Sequence, residues 1–309
     1  MGTLLFMSLV MNAPAQGSNA PWLPEVSSKL KALVNSAVEK TLHEFSEKKL
    51  KADQIAVTLM DLRDPLKPLQ ASHRGDVQIY PASVIKLFYL AAAHQWMEEG
   101  KLNDTEELRR AMQDMIVVSG NEPTHYIVDL LTGTTSGPEL AEKDLAEWYH
   151  KRNAVNRYFS SLGYQNINAN RKPWCEGPYG REMQSVKMHP PNHRNWLTTD
   201  ATARLMSEIA LGRAVSAKRS HEMMELCRRD PKSNNSQARD FIGLGLPEKA
   251  KLWSKAGWTS TTRHDAAYVE LSSGEKFVLV IFTENHANEK QIIPAVTRVV
   301  VEGLVAQQD

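Results

Sequence analysis

The chain has 309 residues and only two cysteines, Cys175 and Cys227, too few for a disulfide framework or a four-cysteine zinc site; one bridge and two separate thiols both stay open. Charge of one sign is missing too. The 37 Lys and Arg nearly cancel the 36 Asp and Glu, so no field draws a nucleic acid or an anionic membrane surface to it. There is no internal repeat or heptad array, which excludes solenoids and coiled coils. His189 and His193 flank prolines that keep two imidazoles off one helix face, and no third ligand accompanies them. No metal and no cofactor is expected. Apolar runs long enough to span a bilayer are absent. The nearest approach is residues 4–11, followed by Ala13-Pro14-Ala15, which read as a signal peptide over 1–15 although no basic residue precedes Lys29. Export to the periplasm or medium is the expectation. With 42% hydrophobic residues the rest has ample material for a folded core.

Val26, Leu30, Leu33, Val34, Val38, Leu42 and Phe45 recur at three- and four-residue steps, the period of an amphipathic helix. Residues 54–62 read as a strand with Ile55, Val57 and Leu59 on one face, closed by Asp64-Pro65. A short second strand is expected before Tyr80-Pro81, then a helix over 83–99 stopped by Gly100, with helical and loop signals to about residue 245. Three β-rich runs follow at 253–258, 266–271 and 277–283, and an apolar helix closes the chain, with Pro294 at its start or at a kink. This order predicts an α+β fold. One antiparallel sheet takes strands from both chain ends and is flanked by the terminal helices, while a helical lobe is inserted in the middle. The expected division is 22–80 with 250–309 for the α/β lobe and 81–249 for the helical lobe.

Three short motifs carry the chemistry. Ser83 stands at the mouth of a predicted helix with Lys86 one turn on, so the amine shares a face with the hydroxyl. Free N–H groups at that helix end favour a developing negative charge, and an amine activates a serine when burial or a neighbouring cation lowers its pKa. Ser119-Gly120-Asn121 follows the apolar run at 115–118, and Lys255-Ala256-Gly257 lies in a predicted strand ending at Trp258.

These elements, in this order and these contexts, resemble the serine β-lactamase and penicillin-binding-protein superfamily, closest to its class A β-lactamases. The resemblance runs over about residues 25–305. It implies a monomeric exported hydrolase acting on a small molecule, a β-lactam or a peptidoglycan-like peptide, and an activity of the kind that gives antibiotic resistance. By the same resemblance Ser83 is the acylated nucleophile and Lys86 its proton acceptor, while Ser119 relays the proton to the leaving nitrogen. Asn121 would hold Lys86 and the substrate's side-chain amide. Lys255 would support Ser119 and bind the substrate carboxylate, with Arg263 as a second anchor. Gly257 would let the strand approach the ligand, and the N–H groups of Ser83 and Trp258 would form the oxyanion hole.

The departures are specific. Ala256 stands where relatives carry a hydroxyl, so one hydrogen bond to the carboxylate is expected to be missing. Gly120 replaces a common aspartate. Ser83 to Ser119 spans 36 residues and Ser119 to Lys255 spans 136, shorter and longer respectively than usual, so the helical lobe is rebuilt. The glutamate and asparagine that activate water for deacylation in class A enzymes have no clear counterpart. Glu182 is the first candidate and Glu176 the second, but Val186 and Gly180 occupy the places of the asparagine. The leading expectation is hydrolysis of the β-lactam amide. The alternatives are a D-Ala peptidase or other small amide or ester hydrolase, and a sensory protein that is acylated without turnover.

Overall fold

The structure is a computed structural model that describes residues 24–174, 177–188, 194–231, 233 and 236–306. The apolar N-terminal run, Cys175, Glu176, His189 and His193 lie outside the described residues. Strands β1 (Glu25–Val26), β2 (Ile55–Asp61), β3 (Leu69–His73), β4 (Arg228–Arg229), β5 (Lys251–Trp258), β6 (Thr262–Glu270) and β7 (Lys276–Glu284) form one sheet in the order β1-β3-β2-β7-β6-β5-β4. The two chain ends meet at its centre, where β2 runs antiparallel to β7 from Ile55 opposite Thr283 to Asp61 opposite Phe277. The sheet is mixed rather than wholly antiparallel, because the two-residue β1 pairs in parallel with β3. Neither β1 nor β4 is long enough to show a two-residue alternation in the sequence.

Helices α1 (Ser28–Glu44) and α11 (Ile292–Val305) cover one face of the sheet. Ser27 caps α1 by accepting the Leu30 N–H at 3.2 Å, a contribution of about 1 kcal/mol. Pro294 is the third residue of α11, where its missing N–H costs no helical bond. Gly303 lets the two helices close, since a Cβ there would lie 2.2 Å from the Leu33 side chain. The other face packs on α2 (Lys86–Glu98) and α8 (Thr199–Ala210). The alternation of β2 distributes its side chains accordingly: Ile55, Val57 and Leu59 join the α1/α11 core, and Ala56 and Met60 join the other.

Between β3 and β5 the chain is largely helical: α2, α3 (Glu106–Val117), α4 (Asn121–Thr132), α5 (Glu142–Arg152), α6 (Ala154–Ser161), α7 (Gly180–Lys187), α8, α9 (Ala217–Cys227) and the single turn α10 (Ser236–Arg239). Ala238, Phe241 and Ile242, after this stretch turns back, pack into the α1/α11 core. No helix among the described residues is long and apolar enough to cross a membrane.

Candidate active site

Ser83 lies in a 3₁₀ turn, Ala82–Ile85, that feeds directly into α2: the Val84 N–H donates to Pro81 O at 3.0 Å, and the Lys86 N–H donates back to Ser83 O and Val84 O. Ala82, just before the serine, has φ 46°, a left-handed conformation that costs an L-residue about 1–2 kcal/mol. The surroundings hold it there. Buried His264 accepts the Thr283 N–H on Nδ1 at 3.1 Å and therefore donates from Nε2 to Tyr80 O at 2.9 Å. Burial lowers its pKa to about 4, so the ring ties β6 to the segment entering the Ser83 turn as a neutral imidazole. From β5, Gly257 lies close against the same turn.

A Cβ on Gly257 would lie 2.7 Å from Ser83 N, 2.8 Å from Val84 N and 2.9 Å from Pro81 O, all backbone atoms that cannot swing aside. Gly257→Ala is therefore expected to push β5 off the Ser83 turn and to slow any covalent reaction of Ser83 by about 10²-fold, the usual cost of a 1 Å misplacement. Intact-mass time courses check this; an unchanged rate removes the close approach from the site's requirements.

Lys86 is fully buried and directs its amine across to the loop between α3 and α4, donating to Ser119 O at 2.5 Å, Asn121 Oδ1 at 2.9 Å and Ser119 Oγ at 3.3 Å. Ser119 itself has φ 61°. The last carbonyls of α3, orphaned by the helix end, are taken up by Arg229 at Ile116 O (2.9 Å) and Gln237 at Val117 O (2.7 Å). From the sheet side Lys255, also fully buried, donates to Ser119 Oγ at 2.9 Å, Gln237 Oε1 at 2.8 Å and Ala256 O at 2.6 Å. Its pKa is driven well below the ordinary lysine value by burial first, and then by the charges of Lys86 and Arg229. The structure thus brings Ser83, Lys86, Ser119, Asn121, Lys255 and Gly257 into one neighbourhood. All three protons of a Lys255 ammonium are already allotted, so a substrate carboxylate bonds to it directly only by displacing one acceptor.

The pleat sorts the remaining candidates. Residues directly opposite in β5 and β6 share a face: Lys255 with Ala266, Gly257 with His264, and on the other side Ala256 with Asp265 and Trp258 with Arg263. Arg263 therefore points away from Lys255. Its guanidinium lies 4.3 Å over the Phe241 ring and 3.8 Å from Asp240, so the structure does not place it as a second carboxylate anchor beside Lys255. Ala256 is likewise turned from Lys255 and is buried in the α1/α11 core. A hydroxyl at position 256 would face that core and Asp265, not a ligand beside Lys255. The Trp258 side chain rests on Phe241 at 5.7 Å and is 43% exposed.

Glu182, in the first turn of α7, is not gathered with these groups. Its carboxylate accepts from Arg152 at 2.5 Å and Ser136 at 2.9 Å, with Lys172 at 3.8 Å. Arg152 and Lys172 also reach Asp129, at 3.5 and 2.8 Å. Asp129 is eight residues beyond Asn121 on α4, about 12 Å along the helix. The glutamate belongs to a buried ion network that fastens α7 and α5 to α4. Gln237, which touches both Lys255 and the Ser119 loop, has no sequence signal: a lone polar residue in a short turn carries no period and no motif. His125 had one available, since it follows Asn121 at i+4; its Nε2 pairs with Pro173 O at 2.6 Å.

The fold is the one that serine β-lactamases and penicillin-binding proteins have. It resembles the structure of a β-lactamase from Sphaerobacter thermophilus DSM 20745 with a TM-score of 0.65 at 20% identity, over 89% of this chain and 98% of that one. For PBP-A the values are 0.63 and 17%, over 91% and 98%. For the TLA-1 extended-spectrum β-lactamase they are 0.64 and 15%, over 89% and 99%. The model of the β-lactamase enzyme family matches residues 37–304, and the chain belongs to that family. No curated protein matches it.

Proposed function

We propose that the protein is a serine hydrolase that opens the amide of β-lactam rings through an acyl-enzyme on Ser83, and that it acts outside the cytoplasm. The observation that carries this reading is the Ser119 hydroxyl held between two buried lysines, one on the nucleophile's own helix and one on the adjoining strand. In the acylation step Lys86 first loses one proton to solvent from the ammonium that makes its three bonds, and the neutral amine then takes the Ser83 proton while Oγ bonds to the carbonyl carbon. The oxyanion is met by the N–H groups of Ser83 and Trp258, donors that contribute about 3–4 kcal/mol each in comparable enzymes. The C–N bond then breaks, and the leaving nitrogen takes the Ser119 proton, which is replaced from a lysine ammonium. Around Lys255 the positive charges of Lys86 and Arg229 face one buried carboxyl, Asp265, an imbalance that suits an anionic substrate.

A second reading, an acyl-enzyme that persists, draws support from Glu182, whose carboxylate is engaged by Arg152 and Ser136. One of the structures similar in fold is a PBP-A variant captured as an acyl-enzyme complex with penicillin G. Deacylation is accordingly expected to be the slow step. A penicillin assay should give a burst of about one equivalent per enzyme and then a slow steady rate, as a covalent intermediate accumulates. Intact-mass spectrometry with a penicillin and a cephalosporin checks both the adduct and its lifetime. Absence of any adduct with either would overturn the proposed activity.

A further inference from the structure

Gln237 sits behind the two-lysine site on α10 and is 2% exposed. Its Oε1 accepts from Lys255 Nζ at 2.8 Å and its Nε2 donates to Val117 O at 2.7 Å. An ammonium only donates and a backbone carbonyl only accepts, so a single orientation of the amide satisfies both partners. Val117 lies two residues before Ser119, whose hydroxyl accepts from the same Nζ at 2.9 Å. The bonds close into a ring: from Lys255 to Gln237, to Val117, along the backbone to Ser119, and back to Lys255.

We propose, on the acyl-enzyme reading above, that Gln237 is a positioning residue: its amide clamps the Lys255 ammonium to the Ser119 loop and so fixes the pair that hands a proton to the leaving nitrogen. The residue touches neither Ser83 nor the place of a substrate in any bond described; it acts through Lys255. The groups that bear electrostatically on Lys255 are Lys86 from α2, Arg229 from β4, Asp265 from β6 and Cys227 at the end of α9. With two cations against one carboxyl in a fully buried site, the charged lysine depends on its hydrogen-bond acceptors. Deleting Oε1 removes one of three. Losing Nε2 along with it releases Val117 O, so the loop that holds Ser119 in its left-handed conformation loses a tether on the same side.

The test uses the full chain carrying Gln237→Met, which matches the side chain in length without hydrogen bonds, and Gln237→Glu, which keeps an acceptor and adds a negative charge. Two quantities are read: the acylation rate constant with a penicillin between pH 5 and 10, and the titration of the Lys255 Nζ by ¹⁵N NMR in substrate-free protein. Q237M is expected to acylate about 10- to 100-fold more slowly near neutral pH, with its Lys255 midpoint lowered by about one pH unit. Q237E should raise that midpoint. A folded Q237M with a rate within twofold of the wild type and an unmoved Lys255 titration overturns the proposal. Should Q237M fail to fold, Q237E decides alone: an upward shift supports the clamp and no shift overturns it. Failure of the wild-type protein to acylate would instead remove the acyl-enzyme reading, while the substrate-free titration still judges the contact between Gln237 and Lys255.

Discussion

Ser83→Ala is expected to abolish covalent adduct formation with every β-lactam while leaving the protein folded. Removal of the nucleophile in a serine acyl-transfer enzyme costs about 10⁶-fold in turnover, and no other hydroxyl shares the α2 mouth with Lys86 in the turn 82–85. The substitution should be nearly silent for stability. The turn is held by backbone bonds from Val84 and Lys86 and by the His264 contact at Tyr80, none of which involves the Ser83 side chain; surface-type changes of this kind stay within about 0.5 kcal/mol. Mass spectrometry after incubation with penicillin, beside a thermal melt, checks both halves. An adduct of the same mass on the alanine variant would show that another residue is acylated.

Glu182→Gln is expected to act on the fold rather than on turnover. It removes a negative charge from a network in which Arg152 is 0% exposed and Lys172 is 5% exposed, leaving Asp129 as the carboxylate for both. Breaking a buried pair by deleting one partner typically costs about 3–5 kcal/mol, on the order of a 10 °C fall in Tm for a chain of this size. The adduct's lifetime should stay within a fewfold of wild type once measured below the lowered Tm. The opposite pattern, a normal Tm with an adduct surviving a hundred times longer, would make Glu182 the water-activating base that the resemblance suggested.

The central strands and the terminal helices were legible because their residues repeat with a period the fold uses: Ile55, Val57 and Leu59 do share one face, and the closing helix does begin around Pro294. The Ser83 turn, the Ser119 loop and Lys255 were legible as a set of motifs. What the sequence hid is partnership across distance. Nothing about Glu182 reveals an arginine thirty residues earlier that claims its carboxylate. Counting from Lys255 to Arg263 says nothing of which face each takes; the register of β5 on β6, set by the turn between them, turns them to opposite sides. Gln237 is hidden for the same reason, since its two partners lie 120 residues before it and 18 after it.

The pairing of β2 with β7 joins residues 216 to 228 positions apart, Asp61 with Phe277 and Ile55 with Thr283. On the ribosome, the strand at 55–61 is made early and must wait for its central partner until nearly the whole chain has emerged. At about 5–20 residues per second that delay is on the order of 10–45 s. Through it, one long edge of β2 has only solvent to bond with, and β3 is its sole neighbour in the sheet. Contacts this remote along the chain also make folding slow once synthesis ends. The last third of the chain thus sets the tempo of assembly for the first, and a nascent chain stalled before residue 276 would present an unpaired strand edge, the kind of surface on which aggregation begins.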